Sequence, residues 1–197
     1  MIKTNINNIF PHQFSRYKTT NLNLHVVDYT KMSETLAVKR GLEFFTADPP
    51  NDISCFSLLN PIDLNIGYID FNNESFVASN GQTKSQCECV ILPDTSTTST
   101  WIVLIELKYS TLIKNNEKHL TKAIQQLLDT HSYYTADNVI NITNPSYLFA
   151  SIPPQSIPFG GFALTPGYIT ALKRTKNIIL RLRNDAIIEN EHSITFA

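Results

Sequence analysis

Glu106 and Lys108 stand two positions apart inside WIVLIELKY, residues 101 to 109, the most apolar stretch of the chain. Alternate side chains of a strand share a face, so the carboxylate and the ammonium project together while Ile105, Leu107 and Tyr109 project the other way. A charge inside an apolar strand costs several kcal/mol unless something offsets it, which implies a partner or a role for this pair. One strand earlier, CECVIL carries a second carboxylate, Glu88. The polar loop PDTSTTST joins the two runs and has its midpoint near Thr97. A symmetric hairpin about that residue sets Glu88 opposite Glu106, because the two are equidistant from its centre. The expected patch is two carboxylates roughly 5 Å apart with a lysine beside them.

Two facing carboxylates repel at neutral pH, so a fold must raise one pKa or place a cation between them, and Lys108 can neutralise only one. Oxygen donors at that separation suit a hard divalent ion. Mg²⁺ takes one or two carboxylates and leaves its other positions to water and phosphate oxygens, which makes phosphodiester hydrolysis the matching chemistry. A retaining glycosidase also uses carboxylates about 5 Å apart. The adjacent lysine and the lack of an aromatic sugar platform near the motif weigh against it.

Glu88, followed on the next strand by Glu106-Leu107-Lys108, resembles the PD-(D/E)XK nuclease superfamily. The resemblance implies an α/β, restriction-endonuclease-like core with a central mixed sheet flanked by helices in α-β-β-β-α-β order. That core would span about residues 30 to 152, with extra C-terminal strands over about 160 to 197. It implies that Glu88, Glu106 and the backbone carbonyl of Leu107 hold Mg²⁺, with Mn²⁺ able to substitute, and that Lys108 orients or helps deprotonate the attacking water. The glutamine that many members carry on the next helix matches Gln125 or Gln126, and Gln126 lies nearer the apolar stripe. A first-helix glutamate would be Glu34 or Glu43. The chain departs from the pattern in having Glu88 where aspartate is usual, with Cys87 rather than proline before it; Asp70 and Asp94 are the alternative first acids. The implied partner is DNA, with RNA not distinguished from it, and a homodimer or partner subunit would supply further contacts. The rival reading keeps the fold as a non-catalytic binding or assembly module.

Several elements must position these residues. TKMSETLAVKRGLEFF, from Thr30 to about Phe45, predicts a helix with Met32, Leu36 and Ala37 on one side, stopped by DPPND. NIGYIDF, SFVAS, CECVIL and WIVLIELKY read as successive strands, with Asn80-Gly81 as a type I′ hairpin turn. NNEKHLTKAIQQLLDTHSYY is the clearest helix, its stripe being Leu120, Ala123, Ile124, Leu127, His131 and Tyr134. His131 and Tyr134 are expected in the core, His119 on the surface, and Cys87 and Cys89 as small hydrophobes on the face opposite Glu88. YLFASI is a further strand, the Pro-rich SIPPQSIPFGG a loop, and IILRLR and SITFA C-terminal strands. The first two dozen residues show no period.

The composition frames this reading. A chain of 197 residues, 42% of them apolar, fits a single domain spanning 1 to 197. The net charge of −1 gives no bulk basic character, so a polyanion needs a local patch. ALKRTKNIILRLR offers one, in Lys173, Arg174, Lys176, Arg181 and Arg183, and reads equally as a solvated edge strand. Three cysteines, Cys55, Cys87 and Cys89, make no disulfide framework. No apolar run approaches the roughly 18 residues of a membrane span, and MIKTNINNIFPHQF lacks a signal-peptide core, so a soluble, cytoplasmic protein with no membrane partner is expected.

Overall fold

A computed structural model describes residues 1 to 196. The chain opens with helices α1 (Ile2–Ile9) and α2 (Pro11–Phe14), followed by strands β1 (Lys18–Thr20), β2 (Leu24–Asp28), β3 (Leu42–Thr46), β4 (Phe56–Leu59), β5 (Ile66–Asp70), β6 (Cys89–Pro93) and β7 (Ile102–Leu107). A 3-10 turn at Ile113–Asn115 leads into α3 (Asn116–Ala136), then β8 (Ser146–Ser151), α4 (Pro166–Lys176), β9 (Ile178–Leu182), β10 (Asp185–Asn190) and β11 (Ser193–Thr195).

The strands form two mixed sheets. The larger runs β1-β5-β6-β7-β8-β9, and the smaller runs β11-β10-β4-β2-β3. In the larger sheet β5, β6 and β7 form an antiparallel meander, while β7, β8 and β9 run parallel through the crossovers of α3 and α4. Its central strands β6, β7 and β8 are buried along their whole length, the burial expected where both faces are covered.

The two faces have different covers. One face, through Val90, Leu92, Leu104, Leu148 and Leu180, packs on the stripes of α1, α3 and α4. The other, through Cys89, Ile91, Val103, Ile105 and Phe149, packs on Val26, Leu58 and Ile188 of the smaller sheet. The order is thus helices, sheet, sheet, so a central mixed sheet is present but only one of its faces is flanked by helices.

The expected stripe of α3 is buried at every position, including His131 and Tyr134. The expected helix over 30 to 45 is absent. Residues 30 to 35 form turns and 36 to 38 a bend, and Leu42–Thr46 is β3, paired antiparallel with β2 from Leu24↔Thr46 to Asp28↔Leu42. Local polar bonds compete with helix there: Asp28 Oδ1 accepts from Thr30 N–H, and Ser33 Oγ both accepts from Arg40 N–H and donates to a backbone carbonyl. Met32 and Leu36 are left exposed. The helix preceding the meander is instead α1, in the segment that shows no period.

SFVAS is not a strand; it contributes a single bridge, Val77↔Thr83. Gly81 has φ +80°, but Asn80 is not among the positive-φ residues, so the turn is not type I′. The basic C-terminal run is split between α4 and β9. Thr165 Oγ1 accepts from Tyr168 N–H as N-cap, Pro166 occupies the first turn, and Asn177 ends the helix in the left-handed conformation at φ 52°.

Candidate active site

The β6–β7 hairpin has the register expected from its loop: Cys89↔Ile105, Val90↔Leu104 and Ile91↔Val103 are all equidistant from residue 97. The regular ladder then stops one residue short of Glu88. Glu88 N–H donates to Ile105 C=O at 3.0 Å, although Ile105 already faces Cys89. Two residues of one strand therefore stand against one of the other, the arrangement of a β-bulge. The parity of the side chains agrees: Cys87 packs with the helix-side core and Cys89 with the inter-sheet core, where an unbroken strand would put both on one face. The expectation that both cysteines lie opposite Glu88, and that Glu88 squarely faces Glu106, is corrected accordingly.

Glu106, one residue before the end of β7, is fully buried, with no exposed surface. Lys108 Nζ donates to its Oε1, while its Oε2 is buried without a hydrogen-bond partner. The same ammonium donates to Gln126 Oε1 at 3.1 Å, and Gln126 Nε2 donates to the backbone carbonyl of Gln86 at 2.7 Å. Gln126 thus ties α3 to the lysine and to the residues just before the bulge. Gln125, by contrast, is exposed and donates to Asp129. Glu106, Lys108 and Gln126 are gathered at one end of the β6–β7 pair, under α3, and Glu88 sits on the adjacent strand end, where it is coupled electrostatically to Glu106 and Lys108.

Electrostatics ties the two glutamates together. Burial pushes the Glu106 carboxyl up to about 7, with Lys108 and Lys122 opposing the shift. Burial also pushes Glu88 up to about 8, and the charges of Glu106 and then Asp28 add to it. Asp28, at the end of β2 in the smaller sheet, also raises Glu106. It is a third carboxylate whose charge acts on both glutamates, and the sequence pattern missed it because it belongs to the smaller sheet, which packs on the larger one. Burial, followed by the Glu106 charge, raises the Cys87 thiol far above its ordinary range, so it packs as an apolar group.

The remaining acids lie elsewhere. Asp70 pairs with Arg16 and Asp94 with Lys3, so each alternative first acid is already neutralised. Glu43 lies on a strand, not a helix, and both its oxygens accept from the Arg40 guanidinium at 2.7 Å. Glu34 is exposed in a turn. His131 Nε2 lies 3.2 Å from Ser146 Oγ, and burial pushes this imidazole down to about 4, leaving it neutral in the core.

Among the described residues no three His, Cys, Asp or Glu side chains form a ready metal cage. The donors present still fit a divalent ion of the Mg²⁺ kind, which needs only one or two carboxylates and takes water for the rest. The buried, unpartnered Glu106 Oε2 is the observation in favour, since an orphaned carboxylate oxygen is costly to bury. Comparison with protein-family models, curated proteins and solved structures gave no match. Among the described residues no helix is long and apolar enough to cross a membrane.

Proposed function

We propose that the chain is a Mg²⁺-dependent nuclease hydrolysing phosphodiester bonds of DNA, on a restriction-endonuclease-like core. The observation that carries this reading is Glu106: buried completely in an apolar strand, engaged by Lys108 through one oxygen and by nothing through the other. The fold supports it as well. A helix precedes the β5-β6-β7 meander, α3 follows it, and β8 then joins parallel to β7, although β1 to β4 are inserted between α1 and β5.

Glu88 and Glu106, with the Leu107 carbonyl, are the groups that would hold the ion. When bound, Mg²⁺ supplies charge for the phosphate oxygens and lowers the pKa of a coordinated water. Lys108 is held between Glu106 and Gln126, where its ammonium would orient the attacking water or offset the charge that builds on the phosphate. Gln126 acts through Lys108 and is a positioning residue. Glu88 stands where the resemblance expects an aspartate, and its longer side chain would reach the ion from the bulged backbone.

The test is cleavage of plasmid and single-stranded DNA with Mg²⁺ or Mn²⁺ by wild type, Glu106→Ala and Lys108→Ala. Wild type should cut and both variants should lose activity. Equal activity in all three, or none in any, rejects the nuclease. One observation favours a second reading, a non-catalytic module on the same fold: Lys108 already closes on Glu106, so the pair can rest as a buried ion pair. In that case divalent ions would leave the melting temperature unchanged.

A further inference from the structure

We propose that lysines of the 3-10 turn and of α3 form a phosphate track that leads a polynucleotide into the carboxylate site. Its destination rests on the nuclease reading, whereas its binding role does not. Lys114 in the 3-10 turn and Lys118 and Lys122 on α3 recur every four residues, and the next member of that row is Gln126, which touches Lys108. Residues four apart on a helix are neighbours along one inclined ridge.

All three lysines are exposed and, among the described residues, none is in a salt bridge. The three residues line one open, shallow groove with Glu117, Thr121 and Gln125. A fourth cation comes from another part of the chain: Lys31 joins Lys108, Lys118 and Lys122 around half-buried His119, which burial first and then these charges hold below its ordinary range. At the inner end, Gln126 accepts from Lys108, which also donates to Glu106. The row therefore begins in solvent and ends beside Lys108 and Glu106.

Its length sets the ligand class. The 3-10 turn and first turns of α3 from Lys114 to Lys122 span about 12 Å, too long for one phosphate and suited to successive phosphates of a strand. A row that runs along one ridge toward Gln126 and Lys108 fits a strand of diesters better than a flat anionic membrane. The basic run at the end of α4 is a weaker candidate, because Lys173 donates to Asn177 Oδ1 at 2.6 Å and Arg181 lies 5.0 Å over the Phe196 ring.

The experiment is fluorescence anisotropy of a labelled 20-nucleotide DNA, single-stranded and duplex, in EDTA over a range of salt. Wild type should show a log-affinity against log-salt slope of about −0.9 per phosphate contacted on duplex, about −0.7 on single strand. Lys114→Gln/Lys118→Gln/Lys122→Gln should lose about one unit of slope per lysine, and Lys118→Glu alone should weaken binding in the same direction. Lys173→Gln/Arg174→Gln/Lys176→Gln should keep the wild-type slope. An unchanged slope in the α3 variant, loss in the α4 variant instead, or lysine-dependent binding to phosphatidylserine vesicles without DNA binding overturns the track. Because binding is read without cleavage, the two ideas fail separately. Wild type that binds through the row but never cuts rejects the nuclease alone, and wild type that cuts while the α3 variant keeps its slope rejects the track alone.

Discussion

Glu106→Gln replaces a buried carboxyl with a neutral group of nearly the same shape, so its effect on stability reads the cost of the charge directly. Burial raises this carboxyl from an ordinary 4.5 to about 7. The folded protein therefore holds a proton that the unfolded chain releases. Stability from this group is fully present below about pH 4.5 and is lost as pH climbs through about 7. At about 1.4 kcal/mol for each pH unit between the two values, the loss is about 3 kcal/mol. For a domain of this size that is on the order of 10 °C in melting temperature. The variant should lack this slope, and it should also let Glu88 titrate lower, since the Glu106 charge is the second cause of the Glu88 shift. Urea unfolding in EDTA at pH 5, 7 and 9 measures the difference, followed through Trp101, the only tryptophan, which is buried and donates to Asn190 C=O. Parallel stability-against-pH curves for wild type and variant would refute the reasoning, as would a variant that loses more stability at pH 9 than at pH 5.

Three further substitutions probe the same structure. Lys108→Met removes the cation that holds Glu106 down, so the pH window of instability should move upward and DNA cleavage should fall at least about 100-fold, measured by urea unfolding and a plasmid assay. Asp28→Asn removes a charge that raises both glutamates, so their titration should shift to lower pH, which NMR of the side-chain carboxyls would detect. Leu104→Ala empties a fully buried position under the helices and should cost about 3 kcal/mol in urea unfolding while leaving the pH dependence unchanged.

The strongest periods in the sequence were legible because packing and pattern agree there. The α3 stripe and the β6–β7 register follow from spacing alone, and Glu106, Lys108 and Gln126 meet because those two elements are placed correctly. The smaller sheet was not legible, since β2, β3 and β4 are short and gain their stability from the other sheet rather than from their own pattern. Leu42–Thr46 reads as the end of a helix until β2 pairs with it. The bulge at Glu88 depends on where one backbone N–H goes, and Asp28 acts on both glutamates from the smaller sheet; neither leaves a mark in the local sequence. The α4 signals were present in Thr165-Pro166 and Asn177, but the β-branched residues that follow them drew the reading toward strand.

The most direct test of the central claim is calorimetric titration of Mn²⁺ into wild type and Glu106→Gln at pH 6 and pH 8. Metal ligation requires deprotonated carboxylates, and burial holds this pair up to about 7 and about 8. The account predicts binding by wild type that is tighter at pH 8 than at pH 6 and absent in Glu106→Gln. No binding by wild type at pH 8, or equal binding by the variant, would contradict it.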